Sequence, residues 1–454
     1  MSEIQVRLPA HLIRRLTAEL RMPGPREPVV FALVSHAATS GSEIVLVRDL
    51  LLPPESAYLP SRGHGARWSG GYSVDLLNLA AKKQCGIFIF HKHGGDAARM
   101  SPDDMESARQ LLPKFQLVVP RRPHGSIVLA DHSAAGLILM PSKITPTDKF
   151  TFRTFQQRMV TWPLPDESPR ERLRFMCQPL ARRPLVRRIV AQCRIAVVGQ
   201  SGGGTHVTQQ LLQLGLGEVI GIDDDHVDEG NRFAGVGVGE KDIQKQRSKV
   251  AAVRRNLARI FPSVKYTAVC EPLPQAKALS AVRRADLIVG CVNNLHARAD
   301  IQEVALRYLI PYVDIGLTIP AEDDPGEEFP AIRAISGNVF TFTPGGPCLW
   351  CTDFLTDEKL AEETERRSRP YLKTPDNADA LVVSFNGLLA SQAVTEVLQL
   401  LTGFAPQDAV SVYKKYDGFT GTLLPWAVKK NDTCPRCNIL LGAGDPIWNR
   451  PRAA

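Results

Sequence analysis

The chain has 454 residues, enough for two or three domains that each bury a core of their own. Hydrophobic residues make up 44% and charged residues 22%, a balance that excludes a disordered or collagen-like chain. Much of the net charge of +8 lies in an arginine-rich stretch at 170–188, which we interpret as a linker or as a docking surface for an acidic partner, and not as a nucleic-acid site.

Membrane insertion and secretion are also excluded by the pattern. The longest apolar stretches have the length of strands, far short of the roughly 20 residues that a membrane span needs. The N-terminus carries charged residues throughout and lacks the apolar centre of a signal peptide. We therefore expect a cytoplasmic protein with no membrane partner.

Residues 1–143 have the pattern of a mixed α+β domain. The amphipathic segment Met1–Arg21 predicts a helix. The elements predicted after it are, in order, strands at Val29–Ser35, Glu43–Leu52 and Gly86–His91, a helix at Pro102–Leu112, and strands at Gln116–Pro120 and Ser126–Asp131. A segment rich in Pro, Thr and Arg follows, and we assign residues 144–186 to a linker.

The end of the strand that begins at Gly86 carries a candidate metal site. His91 and His93 stand two residues apart and point to the same side of the chain, and Asp104 in the first turn of the next helix can complete a three-ligand zinc site. Zinc lowers the pKa of a bound water to about 7, so a nearby base can make that water a nucleophile. Ser101 stands at the helix N-cap, where its hydroxyl caps the helix or donates to an oxyanion.

The spacing His-x-His, seven residues, Ser, two residues, Asp resembles the signature of the JAMM (JAB/MPN) metalloproteases, which hydrolyse peptide or isopeptide bonds after the C-terminal glycine of ubiquitin-like proteins. The resemblance covers about 4–143 and implies a catalytic zinc held by His91, His93 and Asp104. It also implies a general base at the start of an early strand, a place that Glu27 occupies. Ser101 then serves as the oxyanion donor.

Residues 187–454 alternate strands and helices in the way of a Rossmann-like, doubly wound parallel sheet. The strand Ile195–Val198 leads into a glycine-rich turn at 199–205 that opens a helix, and backbone amides at such a turn bind phosphate. The acidic run Asp223–Asp225 ends the next strand, where a carboxylate can bind ribose hydroxyls. On these features alone, a nicotinamide oxidoreductase fits equally well.

Further residues make this half resemble the adenylation domain of E1-like enzymes, a family that includes the ThiF and MoeB proteins. They are Asp225-x-Val227, Asn231-Arg232, Lys249 with Pro262 thirteen residues later, and Asp286–Asn294 followed by Arg298. The resemblance covers about 187–449 and implies that ATP activates the C-terminal carboxylate of a ubiquitin-like protein. The residues it assigns to ATP with magnesium are Gly199, Gly202, Gly204, Asp225, Asn231, Arg232, Lys249 and Asn293.

Arg232 and Lys249 have the charge that this reaction needs, because negative charge develops on the triphosphate as pyrophosphate leaves. Arg232 is accordingly our candidate catalytic residue. The sequence departs from the family pattern at three places. Ser201 replaces a glycine of the turn, the stretch between Asp225 and Arg232 is about two residues short, and Asn293 replaces the aspartate that assists magnesium and ATP. The last change either weakens metal binding or leaves the task to a neighbouring carboxylate.

Two Cys-x-x-Cys pairs predict a closed, tetrahedral, structural zinc site. Its ligands are Cys348, Cys351, Cys434 and Cys437. Such a pair of pairs recurs in the E1-like family, and neither pair has the sequence context of a thioredoxin-like redox motif.

Thioester-forming E1 enzymes carry a catalytic cysteine after the adenylation core, but no cysteine lies between Cys351 and Cys434. The segment Leu355–Val383 between them resembles the crossover loop under which the substrate tail threads. The acyl-adenylate then passes to a cysteine of a partner protein, with Cys177 and Cys270 as alternative nucleophiles within the chain.

Together these features suggest a bifunctional enzyme of a bacterial-type ubiquitin-like modification system, with catalytic zinc, structural zinc and ATP with magnesium as cofactors. The expected partners are a ubiquitin-like or sulfur-carrier protein ending in glycine, an E2-like protein, and a second copy of the chain in a homodimer. Three alternatives stay open: a sulfur-carrier pathway for cysteine, thiamin or molybdopterin, a catalytically silent scaffold that binds the modifier, and a nicotinamide dehydrogenase.

Overall fold

A computed structural model describes most of the chain. The described residues are 3–21, 27–39, 41–60, 66–95, 97–155, 158–163, 184–262, 265–319, 321–322, 331–368, 382–406 and 410–445. Contacts divide the chain into two units. The first comprises Met1–Leu164, Arg307–Leu309 and Leu440–Trp448, and the second comprises Pro165–Leu306, Ile310–Ile439 and Asn449–Ala454. Within the described residues, no helix is both long and apolar enough to span a bilayer.

The first unit is built on an eight-stranded mixed sheet. Its strands are β1 (Glu3–Leu8), β2 (Val29–Thr39), β3 (Ser42–Leu51), β6 (Gly86–Lys92), β7 (His124–Leu129), β8 (Ala134–Leu139), β9 (Thr151–Phe155) and β10 (Met159–Trp162), and a separate ribbon is formed by β4 (Tyr58–Leu59) and β5 (Arg67–Trp68). The spatial order is β10-β9-β1-β3-β2-β6-β7-β8. The helices are α1 (Ala10–Glu19), α2 (Gly70–Lys82) and α3 (Pro102–Val118), with a 3₁₀ turn at Glu55–Ala57.

The central strand β2 is buried on both faces, because its alternate residues enter two different core clusters. Val30 packs in a cluster with residues of α1 such as Leu12, while Phe31 packs in a cluster with Leu76 of α2 and Phe115 of α3. Strand side chains alternate between faces, so α1 covers one side of the sheet and α2 and α3 cover the other. Since β2 pairs with β6 in the register Val29↔His91, this core fixes the strand end that carries the histidines.

Two sequence-based element assignments in this unit are wrong. The helix predicted over Met1–Arg21 is interrupted, because Glu3–Leu8 forms a strand in which apolar residues recur every second position, and α1 begins only after Pro9. The strand predicted at Gln116–Pro120 is instead the end of α3. The buried residues Ala108, Leu112 and Phe115 keep helical spacing, and this stripe outweighs Pro113 inside the helix.

The segment predicted as a linker, 144–186, contains two strands of the first sheet. Strand β9 pairs with β1 in the register Gln5↔Thr151, and β10 pairs with β9. Phe152 of β9 is fully buried, which explains why these residues join the core although the segment is rich in Pro and Thr. Residues 156–157 and 164–183 of the segment, which include most of the arginine-rich stretch and Cys177, lie outside the described residues.

The second unit contains another eight-stranded sheet. Its strands are β11 (Arg194–Val198), β12 (Glu218–Ile222), β13 (Lys265–Val269), β14 (Leu287–Gly290), β15 (Tyr312–Thr318), β18 (Ser336–Phe342), β19 (Tyr413–Asp417) and β20 (Thr422–Trp426), and a short ribbon is formed by β16 (Ala321–Glu322) and β17 (Ala331–Ile332). Its helices are α4 (Pro184–Gln192), α5 (Gly202–Gln213), α6 (Glu229–Ala234), α7 (Glu240–Gln244), α8 (Lys249–Ile260), α9 (Ala276–Arg283), α10 (Leu295–Arg307), α11 (Asp357–Ser368), α12 (Val383–Thr402) and α13 (Pro435–Leu440).

The order of this sheet is β13-β12-β11-β14-β15-β18-β19-β20, and its first five strands are parallel. This is the Rossmann-like arrangement predicted for the second half of the chain, and the prediction is confirmed. The connections reverse direction between the neighbouring strands β11 and β14. A crevice therefore opens outside the carboxyl ends of these two strands, the position at which open α/β sheets bind ligands.

Candidate functional site

In the first unit, four polar side chains meet where β6 ends; we call them the Glu27 cluster (Glu27, His91, His93 and Asp104). His91 lies near the end of β6 and His93 follows it, Asp104 comes from the first turn of α3, and Glu27 precedes β2 by two residues. The ligating atoms of Glu27, His91 and His93 lie within 4.8 Å of one another. The structure therefore brings together the three zinc ligands predicted from the sequence and Glu27, the base that the family resemblance implies.

The distances in the Glu27 cluster suit a tetrahedral zinc site. His91 Nε2 lies 3.3 Å from Asp104 Oδ1, His93 Nε2 lies 3.4 Å from Asp104 Oδ2, and His93 Nε2 lies 3.5 Å from Glu27 Oε1. Nitrogen and oxygen ligands about 2.0 Å from one zinc ion stand about 3.3 Å apart in a tetrahedron. The donor set and its spacing thus fit the metal that the sequence predicts.

The two histidine rings are oriented toward a common point. His93 Nδ1 lies 2.8 Å from the carbonyl oxygen of Arg99, so the Nδ1–H donates to that carbonyl and leaves Nε2 facing the cluster. His91 Nε2 is buried and has no hydrogen-bond partner, although Asp104 is close. A buried nitrogen without a partner is costly. A metal ion shared with Asp104 would satisfy it.

Ser101 forms a capping box with Asp104 at the start of α3. Its backbone N–H and its hydroxyl both donate to Asp104 Oδ2, at 2.9 Å and 2.7 Å, and its Oγ accepts from the Asp104 N–H at 3.1 Å. Burial of Asp104 opposes ionisation, but these hydrogen bonds together with His91 and His93 outweigh it and lower the pKa of the carboxyl. Ser101 therefore holds Asp104 as a carboxylate in the position of a ligand.

In the second unit, the glycine-rich turn joins β11 to α5. Its backbone requires glycine at two positions, Gly199 and Gly204. Gly199 has φ +88, and a Cβ on Gly204 would lie 1.8 Å from the Gly199 carbonyl oxygen. Ser201, which replaces a glycine of the family pattern, has φ −105, a value that a serine adopts without strain. Its side chain does not cap α5, so the turn keeps amides available for an anion.

Asp223, directly after β12, holds this turn in place; the sequence analysis names it only as part of the acidic run Asp223–Asp225 and does not predict this role. Its carboxylate accepts from the backbone N–H of Gln200 at 2.6 Å and from that of Asp225 at 2.9 Å. Burial raises the pKa of Asp223, while Lys249 and these hydrogen bonds act in the opposite direction. The sequence signal for this role is the position of Asp223 in that acidic run, directly after the buried strand residue Ile222.

Lys249 opens α8 and turns toward the end of β12. Its Nζ donates to Asp225 Oδ2 at 2.7 Å. Burial acts to lower the pKa of this ammonium, but Asp223 and Asp225 outweigh it and raise the pKa, so Lys249 is protonated. The structure thus brings together Lys249 and Asp225, two residues that the sequence assigns to ATP.

Arg232 and Asn231, which the sequence also assigns to ATP, lie on α6 and interact with acidic residues there and nearby. Arg232 forms ion pairs with Glu240 at 3.2 Å and with Glu229 at 3.8 Å. Asn231 is buried and forms a capping box with Asp228, since each side chain accepts from the other residue's backbone N–H. Asn231 therefore shapes the start of α6, and a role for Arg232 at the triphosphate requires that it leave its acidic neighbours.

Four residues after β14, the chain enters α10, whose first backbone amides are held by side chains. The Leu295 N–H donates to both carboxylate oxygens of Glu363 on α11, at 3.1 Å each, and the His296 N–H donates to one of them at 3.2 Å. The Ala297 N–H donates to the Asn294 side chain at 2.7 Å. Glu363 lies 68 positions from Leu295, and no local pattern connects the two.

A buried ion pair lies beneath the same region. Arg298 donates from Nε to Asp314 of β15 at 3.1 Å and from Nη2 to the Ile315 carbonyl at 3.2 Å. Tyr312 also donates to Asp314, whose side chain is 1% exposed. Arg298 is part of the sequence pattern that resembles the E1-like family, but its partner Asp314 was not predicted from the sequence. The ion pair fixes α10 on the sheet.

The four cysteines of the predicted structural zinc site come together. Cys348 Sγ lies 3.8 Å from Cys351 Sγ, 3.8 Å from Cys434 Sγ and 3.1 Å from Cys437 Sγ. Four sulfurs at about 2.3 Å from one zinc ion stand about 3.8 Å apart. The cluster fits a zinc site with four cysteine ligands.

The comparison with protein families matches the second part of the chain. The model of the ThiF family matches residues 178–436. The sulfur carrier protein ThiS adenylyltransferase of Escherichia coli is 22% identical over 54% of this chain and 85% of that protein. The SAMP-activating enzyme E1 of Haloferax volcanii is 26% identical over 54% of this chain and 80% of that protein.

Among solved structures, that of E. coli MccB has a TM-score of 0.45 and 17% identity, with 56% of this chain and 69% of that chain covered. The matched ThiF region spans more than half of the chain and contains the glycine-rich turn, Lys249, Asn293 and Cys348, with Cys351 and Cys434. The ThiF match also favours adenylation over the nicotinamide dehydrogenase alternative. The chain belongs to the ThiF family.

Proposed function

We propose that the second unit uses ATP to adenylate the C-terminal carboxylate of a ubiquitin-like or sulfur-carrier protein. The supporting observation is the ThiF family membership together with the turn at Gly199, which leaves backbone amides at the start of α5 for a phosphate. The relatives named above are adenylyltransferases or activating enzymes of such carriers. A carrier that ends in glycine has the unbranched tail that can enter this crevice.

In this reaction a carboxylate oxygen of the carrier attacks the α-phosphorus, and the bond to the β-phosphate oxygen breaks. The products are the acyl-adenylate and pyrophosphate. Lys249, kept protonated by Asp223 and Asp225, neutralises charge that develops on the leaving pyrophosphate. The amides of Gly202 and Gly204 hold phosphate oxygens, and the carboxylates at the end of β12 bind the ribose. Arg232 adds a second cation once it leaves Glu229 and Glu240.

The thiol of an E2-like or sulfur-donating partner then attacks the acyl carbon of the acyl-adenylate; the carbon–sulfur bond forms and AMP leaves. We assign this thiol to a partner because the sequence has no cysteine between Cys351 and Cys434. Part of the segment assigned to the crossover loop, 369–381, lies outside the described residues. We propose further that the four-cysteine cluster binds structural zinc and that the chain forms a homodimer. Both follow from the family resemblance.

Carrier-dependent exchange of labelled pyrophosphate into ATP tests the adenylation. The experiment uses the full chain with candidate carriers whose C-terminal glycine is either present or deleted. Exchange only with the intact glycine supports the proposal, and its absence with every carrier that binds the chain favours the silent scaffold. Carrier-linked sulfur among the products would identify a sulfur-carrier pathway, whereas a bond between the carrier and a lysine would identify protein modification.

For the first unit we propose a JAMM-type zinc peptidase that cleaves bonds to the same carrier terminus. The Glu27 cluster supports it, through its spacing and through the orphaned His91 Nε2. His91, His93 and Asp104 would hold the ion. Bound zinc would supply a Lewis acid and lower the pKa of its water. Glu27 would take a proton from the attacking water and return it to the leaving nitrogen. Ser101 keeps Asp104 ionised, and its hydroxyl would donate to the oxyanion only after it leaves Asp104 Oδ2.

Cleavage of a carrier with an extension after its glycine tests this second activity. The wild-type chain loaded with zinc should release the extension, and the same chain after chelation should not until zinc is restored. Release that persists after chelation would exclude a metallopeptidase. A branched substrate, in which the carrier is joined to a lysine, distinguishes precursor processing from isopeptide cleavage.

A further inference from the structure

A small concave pocket lies between α8 and the edge strand β13; we call it the Arg254 pocket. Its lining consists of three arginines and three alanines, namely Arg247, Ala251, Arg254, Arg255, Ala258 and Ala268. Its volume is about 280 Å³, just below the range of about 300–1,000 Å³ that is typical of sites for drug-sized ligands. The pocket therefore has room for a small anion.

The helix places most of these residues on one face. Four of them stand at positions i, i+3, i+4 and i+7 of α8: Ala251, Arg254, Arg255 and Ala258. Because alanine ends at Cβ, the two alanines leave space between the guanidinium groups. Lys249 lies on the opposite face, since Ala251 and Ala258 follow it by two and nine residues, which is about half a turn round the helix in each case. The pocket is therefore separate from the nucleotide crevice, toward which Lys249 turns.

The Arg254 pocket carries an excess of positive charge. Asp242, which is fully buried, is the carboxylate that pairs with both Arg247 and Arg255. Arg254 is exposed and forms no hydrogen bond or ion pair with any residue that the structure describes. Helix α8 carries four basic residues and no acidic one. Three guanidinium charges against one carboxylate therefore leave two positive charges without a partner at the pocket.

Asp242 does not use up the donors of these arginines. Its Oδ1 accepts from Arg255 Nε at 2.8 Å, and its Oδ2 accepts from Arg255 Nη2 and from the Gly239 N–H at 3.1 Å. Arg247 Nε lies 3.1 Å from the same Oδ1 but is buried and forms no hydrogen bond. Each guanidinium has five N–H donors. Arg247 and Arg254 thus keep donors for a further ligand.

The backbone around Arg247 is fixed, so much of the pocket is preformed. The Val227 N–H donates to the Arg247 carbonyl oxygen at 2.9 Å, and the Arg247 N–H donates to the Asp242 carbonyl oxygen at 3.0 Å. The Asp242 carboxylate in turn holds the side chain of Arg255. A ligand would therefore meet two positioned guanidinium groups, and ordering the Arg254 side chain would be the main cost in conformational entropy.

We propose that the Arg254 pocket binds a phosphate group with two negative charges, at a site apart from the proposed ATP site. The two charges match the excess charge of the pocket, whereas a carboxylate would match only half of it. The planar guanidinium fork also fits phosphate oxygens, since one arginine can donate two parallel hydrogen bonds to them. Free inorganic phosphate and the phosphate monoester of a small molecule share this chemistry, and the test distinguishes them.

Calorimetric titration of the full chain with inorganic phosphate tests the site. The titration is made at about pH 8, where phosphate is mainly a dianion, and at constant ionic strength, so that screening does not change. We expect Arg254→Gln to raise the Kd about tenfold or more, the scale of one hydrogen bond to a charged group. Arg259→Gln removes an exposed arginine of α8 that does not line the pocket, and this matched control should leave the Kd unchanged.

Two further titrations complete the test. Excess ATP with magnesium should leave phosphate binding unchanged, because the pocket and Lys249 lie on opposite faces of α8. Methyl phosphate that binds as tightly as inorganic phosphate would identify monoesters as ligands, and binding of inorganic phosphate alone would identify the free ion. Absence of measurable binding, equal weakening by Arg254→Gln and Arg259→Gln, or displacement of phosphate by ATP would each overturn the inference.

Discussion

His91 Nε2 and Asp104 Oδ1 lie 3.3 Å apart but form no hydrogen bond, because both atoms face the centre of the Glu27 cluster. This arrangement predicts that purified protein contains two zinc ions per chain, one in each cluster, and that His91→Ala/His93→Ala contains one. Elemental analysis after mild chelation measures this. His36→Ala is the control, since His36 pairs with Glu43 away from the cluster. An unchanged metal content in the double variant would contradict the site.

Replacement of Glu27 should separate metal binding from catalysis. Glu27→Gln removes the proposed base, so the rate of carrier cleavage should fall by a factor on the order of 10² to 10⁴. The zinc content should stay at the wild-type value, because His91, His93 and Asp104 remain. Glu106→Gln, an exposed change on α3, should leave the rate unaltered. A loss of zinc together with activity would show that Glu27 is a ligand and not the base.

Ser101→Ala tests whether Ser101 only caps α3 or also donates a hydrogen bond to the oxyanion during cleavage. Loss of an N-cap costs about 1 kcal/mol of unfolding free energy. Ser69→Ala is a matched variant, because Ser69 caps α2 by accepting from the Tyr72 N–H at 3.2 Å. Both variants should lose similar stability in a urea titration. Only Ser101→Ala should also slow cleavage, by about 10² or more if the hydroxyl donates to the oxyanion; equal rates in the two variants would argue for a cap alone.

His124 predicts a stability change in weak acid. The ring is buried, its Nδ1 accepts from the Ile87 N–H, and burial lowers its pKa to about 4 despite a hydrogen bond to the Val119 carbonyl. The unfolded chain, with a pKa near 6.5, binds the proton first. Stability should therefore decline as pH falls from about 6.5 to about 4, by up to about 3 kcal/mol from this group. His124→Gln should show a shallower decline between pH 7 and 4.5 in thermal unfolding.

Lys249→Ala should slow carrier-dependent pyrophosphate exchange by about 10² or more, because the charge on the leaving pyrophosphate loses its cation. Lys249→Arg should recover part of the rate. Lys245→Ala removes a nearby exposed charge and serves as the control. Comparable rates for Lys249→Ala and Lys245→Ala would mean that Lys249 only pairs with Asp225.

The sequence predicts those parts of both sites that have short, regular spacing. His91 and His93 stand on one strand end and Asp104 begins the next helix, so local geometry alone brings them together. The glycine-rich turn is predicted for the same reason. Glu27 was placed by family resemblance, since its position next to His93 depends on the pairing of β2 with β6.

What the sequence does not predict depends on contacts between distant parts of the chain. Glu363 meets Leu295 only because α11 folds back onto α10, and Asp314 meets Arg298 only because β15 lies beside that helix. The strand Glu3–Leu8 was not predicted, because its apolar residues also fit one side of an amphipathic helix. The two side-chain pairs depend on tertiary contacts that have no periodic signature, whereas the short strand has the period of two but was read as part of a longer helical pattern.

The cysteine cluster constrains when the second unit can be completed during synthesis. Cys348 and Cys434 are separated by 86 positions, and the fourth ligand, Cys437, follows Cys434 in the last part of this sequence. A nascent chain exposes its first cysteine pair long before the second pair leaves the ribosome. Metal capture is therefore a late event of biosynthesis, and a chain truncated before Cys434 would carry an incomplete thiol pair open to oxidation or to scavenging by other metals.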